Sequence, residues 1–361
     1  MTFDIAIIGA GIAGASLAAE LAPHARVLVL EAESTPGYHA TGRSAAFWSE
    51  TYGGPGVQPL TTASEIALKA GGFLEPLGSL HIGRADDAAA IDAFLAAFEG
   101  SAVPLARVDP GAIVPGLREE WTLGVMEPTC AYIDVAALHA AGLATAKRHG
   151  ARLVTDAPFR SATRNNRRWH IETRAGTFDA SIIVNAAGAW VDDVARLAGV
   201  APIGIRAYRR TLAQLRTDPA PPAGMPHVAD INGRFYFKPE AGGRLWLSPH
   251  DETPVDPHDV APEEIDVAVA IDRFEQVVDW QVAAVERKWA GLRSFAPDRL
   301  PIYGFDAKVP GFFWCAGQGG FGIQTAPAAA MLAASLLLGA RPHPAIAAID
   351  TAVYAPARFT R

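Results

Sequence analysis

The chain has few cysteines, few charges and no long apolar run. Cys130 and Cys315 are the only cysteines among 361 residues, so no disulfide framework is available and nothing asks for an oxidising compartment. Charged residues make up 19%, below the ~25% of an average soluble protein. Basic side chains (31) are outnumbered by acidic ones (38), and the net charge of −7 argues against nucleic acid as the main partner. The most apolar helical stretch, residues 326–338, is too short for the ~20 residues of a bilayer crossing. Met1-Thr2-Phe3-Asp4 has no basic leader, and Asp4 interrupts the apolar stretch. No transmembrane or targeting segment is therefore expected, and the location expected is cytoplasmic. The histidines are scattered, with no His/Cys cluster of metal-site spacing, so no metal is expected. His24, His149 and His250 read as surface residues. A nucleophile elbow of the GxSxG kind is also missing.

What is present is apolar: 50% of the residues, enough for a sizeable core. The length suits about two domains, or one with a second sheet inserted. Residues 5–8 and 26–30 read as strands flanking a helix at 15–21. Residues 35–56, rich in Gly, Pro, Ser and Tyr, are too long for a plain connection and suggest a functional loop. Strands fit 80–82 and 123–126, and helices fit 86–98 and 135–149, the second with Asp134 as N-cap. Strands at 159–164, 169–173, 177–179 and 181–187 follow. From about residue 202 the pattern changes to alternating, aromatic strands at 207–215, 235–238 and 244–248, then a helix over 264–285. A strand at 311–316, a glycine loop and a helix over 325–338 return to the first style.

Gly9-Ala10-Gly11-Ile12-Ala13-Gly14 follows a strand, opens a helix and precedes a second strand ending in Glu31 and Ala32. That context is what a dinucleotide site requires. Gly9 suits a tight turn, Gly11 lets the backbone approach the pyrophosphate, and Gly14 lets the helix pack on the strand. The helix N-terminus favours phosphate. Glu31 suits the ribose hydroxyls. Three later motifs favour a flavin over a nicotinamide. Thr41-Gly42-Arg43-Ser44-Ala45-Ala46 offers small residues for close approach to a ring system, with Arg43 and Ser44 able to hold phosphate or ribose. Asn185-Ala186-Ala187-Gly188-Ala189-Trp190 ends a buried strand. Gly317-Gln318-Gly319-Gly320-Phe321-Gly322-Ile323-Gln324-Thr325 feeds a helix N-terminus suited to a negative centre.

Together these segments, with Trp289-Ala290-Gly291-Leu292-Arg293-Ser294-Phe295, resemble the D-amino acid oxidase family of FAD-dependent oxidoreductases, and its D-arginine dehydrogenase branch in particular. The resemblance runs from about residue 4 to about residue 340. It implies an α/β fold: a Rossmann-like, glutathione-reductase-like FAD-binding domain with an inserted α+β substrate domain on a mixed or antiparallel sheet. The division expected is 1–78, 135–200 and 290–361 for the cofactor, and 79–134 with 201–289 for the substrate. One noncovalent FAD is implied, with Pro158 joining the residues above at the cofactor. Hydride transfer from an amino-acid Cα to flavin N5 is implied too, giving an imino acid that water converts to a 2-oxo acid and ammonia. The partner implied is a small amino-acid substrate, with the electron acceptor left open between a quinone and O2.

The resemblance also assigns the substrate end. Arg293 takes the place of the carboxylate-binding arginine, Tyr236 supports that carboxylate, and Tyr52 takes the place of a mobile lid residue. Arg209 or Arg210 adds a second charge, with alignment favouring Arg209. Only one of the two can face the site, because neighbours on a strand point oppositely. Phe47, Trp48, Ser79, His81, Trp246 and Gly320 are the pocket candidates. Members acting on basic substrates carry a histidine where Phe47 stands and an acid where Ser79 stands. The pocket expected here is therefore apolar, for neutral or apolar D-amino acids, unless Glu50 turns inward. Glycine, sarcosine or other secondary amines and 2-hydroxy acids are the alternative substrates; a tRNA-modifying or binding flavoprotein is a remote one. The cysteine that sarcosine oxidase relatives bond to the flavin has no counterpart near Ser294-Phe295, and Cys315 reads as core.

Overall fold

Thr2–Ile8 (TFDIAII) and Val27–Leu30 (VLVL) are largely buried, as apolar runs in the middle of a parallel sheet must be. In the computed structural model, which describes residues 2–359, they lie parallel, with Ile5 opposite Val27 and Ile8 opposite Leu30. The helix Ile12–Leu21 crosses between them. Gly176–Asn185 flanks Thr2–Ile8 on its other side, again parallel. The sequence pattern suggests two strands at 177–179 and 181–187, but the structure has one. Asp179 and Ala180 continue the ladder, because the first half pairs with the hairpin strand Arg168–Thr173 while the second half enters the parallel core.

Among the described residues this sheet has eight strands. Phe159–Asn165 and Arg152–Val154 close its edges, and Phe312–Ala316 lies parallel to Gly176–Asn185. Two helices pack on Ile12–Leu21. One is Val135–Arg148, whose N-cap Asp134 accepts the Ala137 amide at 2.9 Å. The other is Ala326–Leu338, an alanine- and leucine-rich helix with proline in its first turn and Gly339 beyond its end in a left-handed conformation (φ 61°).

The second sheet has ten strands and is dominated by the antiparallel pair Arg206–Asp218 and Gln281–Phe295. Here the structure departs from the helix read over 264–285. The helix ends at Glu275, Val277 and Val278 enter the core, and from Gln281 the burial alternates with the period of two that marks a strand. Gln281–Phe295 runs unbroken through residue 290, so the division read there from sequence falls inside a strand. A third sheet of three short strands, Phe47–Trp48, Leu74–Pro76 and Ala131–Ile133, lies in the loop region. The helix Gln58–Ala70, absent from the sequence reading, packs on Ala326–Leu338. The result is an α/β fold with mixed sheets. Among the described residues no helix is long and apolar enough to cross a membrane.

Candidate active site

Residues of both large sheets line a cavity of about 510 Å³. One end is made of main chain. Gly9 has φ +104°, and a Cβ there would stand 2.5 Å from the Ala186 carbonyl oxygen. A side chain at Gly14 would run into the Gly9 carbonyl, so Gly14 serves helix–strand packing and does not line the cavity. The Ile12 amide donates to Thr41 Oγ1 at 2.9 Å, which ties the start of the helix to the Thr41–Arg43 turn. The Glu31 carboxylate accepts the amides of Ala10 (2.7 Å) and Glu33 (3.0 Å). It therefore holds the glycine turn in shape as well as facing the cavity, and a carboxylate with about four lone-pair sites has acceptors to spare. Of the cofactor motifs, every residue but Ala10, Gly14, Gly42, Asn185, Gly317, Phe321 and Thr325 lines this space, as do Glu31, Ala32 and Pro158. The Gly42 amide closes a turn onto the Gly37 carbonyl (2.7 Å), and the Thr325 hydroxyl donates to the Phe321 carbonyl (2.8 Å). Arg43 lines the cavity, but its guanidinium is taken by Asp259 and by the carbonyls of Val260 (2.9 Å) and Ala290 (3.4 Å).

The other end is made of side chains, and strand register decides which. Tyr208 lies opposite Arg293 and Arg210 opposite Gly291, so Arg210 and Arg293 share the cavity face of the second sheet. Arg209 faces the other side, toward the helix Glu264–Glu275, where it pairs with Glu263 and with Asp266 (2.8 Å). Arg210, not Arg209, is thus the second guanidinium of the cavity, which corrects the choice made by alignment. Arg293 Nη2 donates to the Tyr52 hydroxyl at 2.5 Å, and Nη1 lies 3.2 Å from Glu252. Arg210 Nε donates to the Asp251 carbonyl at 2.8 Å, while its buried Nη2 has no hydrogen-bond partner among the described residues. Burial, reinforced by Arg293, pulls the Arg210 guanidinium below its usual pKa. Burial raises the pKa of Tyr236, against the opposing pull of Arg210. The ring of Phe47 stands 5.2 Å from that of Tyr52 and 6.2 Å from that of Tyr236, so three aromatics wall this end. Any side chain at Gly320 would collide with Arg293 and the Tyr52 hydroxyl, so glycine there is needed for the guanidinium to reach its position.

Four of the six pocket candidates fall elsewhere. Trp48 is 1% exposed and sits in a core cluster, its Nε1 donating to the Thr61 carbonyl (2.9 Å). Ser79 is buried against His227 Nδ1 (3.0 Å). His81 packs at a tilt against Phe94 (4.5 Å) and lies 3.9 Å from the Glu127 carboxylate. Trp246 packs on Trp289 (5.0 Å) and beneath Lys238 Nζ (4.3 Å). None of the four lines the cavity, whereas Phe47 and Gly320 do. Glu50 does not turn inward either; it is buried against the hydroxyls of Thr62 (2.5 Å) and Thr129 (3.4 Å). Neither Cys130 nor Cys315 lines the cavity.

The sequence reading passes over Glu252, Glu127 and Gln318. Glu252 gave no signal, being one acid in a loop. Glu127 gave a faint one, as a lone acid closing an apolar strand (LGVME). Gln318 lies inside a motif already singled out. His250, read as a surface residue, stands half-buried with its ring 5.7 Å from that of Tyr236. Burial and the nearby Arg210 and Arg293 push its pKa down to about 3.

A helix N-terminus beside a glycine turn, an acid at the end of the next strand and a long cavity leading to paired arginines define a dinucleotide-dependent enzyme. The chain belongs to the FAD dependent oxidoreductase (DAO) family, whose model matches residues 4–336. The residues present fit FAD. The helix N-terminus opens on the cavity, and Gly188, at φ +57°, has no atom within 4 Å of its would-be Cβ, which leaves room for close approach.

The chain is 26% identical over 220 residues to hydrogen cyanide synthase subunit HcnC of Pseudomonas aeruginosa, a match covering 60% of this chain and 50% of that one. It is 30% identical over 126 residues to human mitochondrial dimethylglycine dehydrogenase, covering 34% and 14%. The chain spans half or less of the length of the curated relatives it matches. The same fold is found in L-proline dehydrogenase from P. horikoshii (TM-score 0.85, 21% identity, 99% and 97% of the two chains). Glycine oxidase from Geobacillus kaustophilus also shares it (TM-score 0.84, 23% identity, 99% of each chain).

Proposed function

We propose that the protein oxidises neutral or apolar amino acids at the carbon bearing the amine, with the D-configuration as the leading substrate class. The observation that carries this reading is the convergence of Arg210 and Arg293 on one wall of the cavity beside Tyr52, Tyr236 and Phe47. Two guanidiniums, one with a buried Nη2 that makes no hydrogen bond and only a 3.5 Å ion pair with Glu252, form an anchor for a carboxylate, which prefers planar, two-point donors. Anchoring the carboxylate holds the Cα in place, so the reacting C–H is oriented before reaction. When bound, FAD supplies the two-electron acceptor. Loss of hydride from Cα and of a proton from the neutral amine leaves an imine, which water hydrolyses to a 2-oxo acid and ammonia. The aromatic wall excludes water from the reacting carbon. The acids lining the cavity are engaged elsewhere: Glu31 holds main-chain amides, Glu33 His39, Asp193 Arg196 and Asp259 Arg43. A substrate with a cationic side chain would meet no free carboxylate and would lose several kcal/mol of pairing, so D-arginine and D-lysine are disfavoured.

A second reading is oxidation of a secondary or tertiary amino acid, favoured by the names of relatives such as dimethylglycine dehydrogenase and sarcosine dehydrogenase. Anaerobic bleaching of the flavin with D-alanine, D-phenylalanine, D-arginine, glycine, sarcosine, L-proline and 2-hydroxyglutarate separates the two. Bleaching by D-alanine or D-phenylalanine but not D-arginine is expected, and bleaching by sarcosine alone would replace the first reading with the second. Arg293→Ala is expected to retain FAD and to lose about 10²-fold or more in kcat/KM. Unchanged kinetics would remove Arg293 from the site.

A further inference from the structure

Tyr52 reaches Arg293 from a segment with no regular structure of its own, residues 49–53. Something else must hold it. Glu127 ends the strand Leu123–Glu127, and its side chain is 0% exposed. Its two oxygens collect three donors from this one segment: the Ser49 hydroxyl (2.8 Å), the Glu50 amide (2.6 Å) and the Thr51 hydroxyl (2.6 Å). Three consecutive residues thus converge on a single carboxylate. From the opposite side Gln324 accepts the Ser49 amide (3.3 Å) and donates to the Tyr52 carbonyl (2.9 Å). A buried carboxylate is costly unless fully bonded, and here its three hydrogen bonds come from the segment that carries Tyr52, while His81 Nε2 stands 3.9 Å from one oxygen as the facing charge partner. Glu127 itself does not line the cavity.

We infer that Glu127 is a positioning residue for the carboxylate anchor: by gathering Ser49, Glu50 and Thr51 it sets the height at which the Tyr52 hydroxyl meets Arg293. The inference rests on the reading of Arg293 as the carboxylate anchor. It goes beyond it in placing the control of that anchor on a strand outside the cavity. Loss of the carboxylate leaves three donors short of an acceptor, the segment loosens, and Arg293 loses the hydroxyl that orients it. Glu252 then becomes its main partner, which competes with an incoming carboxylate.

The test uses the FAD-bound enzyme, with benzoate as a carboxylate probe read by flavin absorbance and amide exchange read over residues 49–53. In Glu127→Gln, exchange over 49–53 is expected to speed up, and the benzoate Kd and the KM to rise about tenfold, the scale of one lost charge-assisted hydrogen bond. The kcat is expected to change much less. Tyr52→Phe should weaken benzoate similarly without loosening the segment, and the double variant should be no worse than either single one. A Glu127→Gln enzyme with a lower Tm but unchanged exchange over 49–53 overturns the inference, as does full additivity in the double variant. If exchange speeds up while benzoate binding ignores Glu127→Gln, Tyr52→Phe and Arg293→Ala alike, the positioning of the segment stands and the anchor reading fails. Should Glu127→Gln not fold, Thr51→Val removes one of the three donors and is expected to act in the same direction by about threefold.

Discussion

The two ends of the cavity are built on different physical plans. At the glycine end the ligand-facing atoms are main chain, and what the sequence must supply is the absence of side chains at Gly9, Gly11 and Gly188. At the arginine end the ligand-facing atoms are side chains, drawn from four strands and a loop that meet only after folding. Main-chain sites fail by collision, whereas side-chain sites fail by loss of one contact. The first kind should break outright on substitution, and the second should degrade by degrees.

Gly9→Val is the harshest break in this contrast. Valine disfavours φ +104°, and its Cβ would meet the Ala186 carbonyl. Purified protein is expected without the flavin absorbance and with a markedly lower Tm; flavin at wild-type stoichiometry would refute the collision argument. Next come the neighbouring arginines. Arg210→Ala is expected to lose about tenfold or more in kcat/KM with FAD retained. Arg209→Ala is expected to keep the wild-type KM and lower only the Tm, because its partners Glu263 and Asp266 lie on the far face. A KM effect from Arg209 but none from Arg210 would reverse the register argument.

The smallest effect concerns His250, which is neutral in the fold. Its folded pKa of about 3 lies below the ordinary 6.5, so the unfolded chain takes up its proton first as the pH falls. The stability it contributes is complete above about pH 6.5 and is lost as the pH falls toward about 3. His250→Asn, chosen because asparagine tolerates the φ of 55° found here, should flatten the fall of Tm with acidity over that window. An identical slope in both proteins would mean that other groups carry the acid sensitivity.

The glycine end was almost wholly legible in the sequence, and the reason is locality. Gly9, Gly11, Gly14 and Glu31 lie within one strand–helix–strand unit, so their spacing carries their geometry. The errors cluster where geometry comes from pairing. Trp48 and Trp246 look like pocket aromatics by composition, yet core packing claims the first and Trp289 the second. Ser79 and His81 occupy a strand whose neighbours turn them toward His227 and Phe94. The helix read over 264–285 overran because Val277 to Val285 is apolar enough for either period, and only the partner strand Arg206–Asp218 settles it.

By itself the sequence determined the strand–turn–helix that receives the dinucleotide, the family, and the presence of Arg293 and Tyr236 in recognisable motifs. Only the tertiary structure decided that Arg210 faces the cavity and Arg209 does not. A strand's side-chain period of two makes adjacent residues equivalent until a partner strand fixes which face is which. It likewise brought Glu127 to the segment beneath Tyr52, a juxtaposition of residues 76 apart for Thr51 that no local pattern encodes.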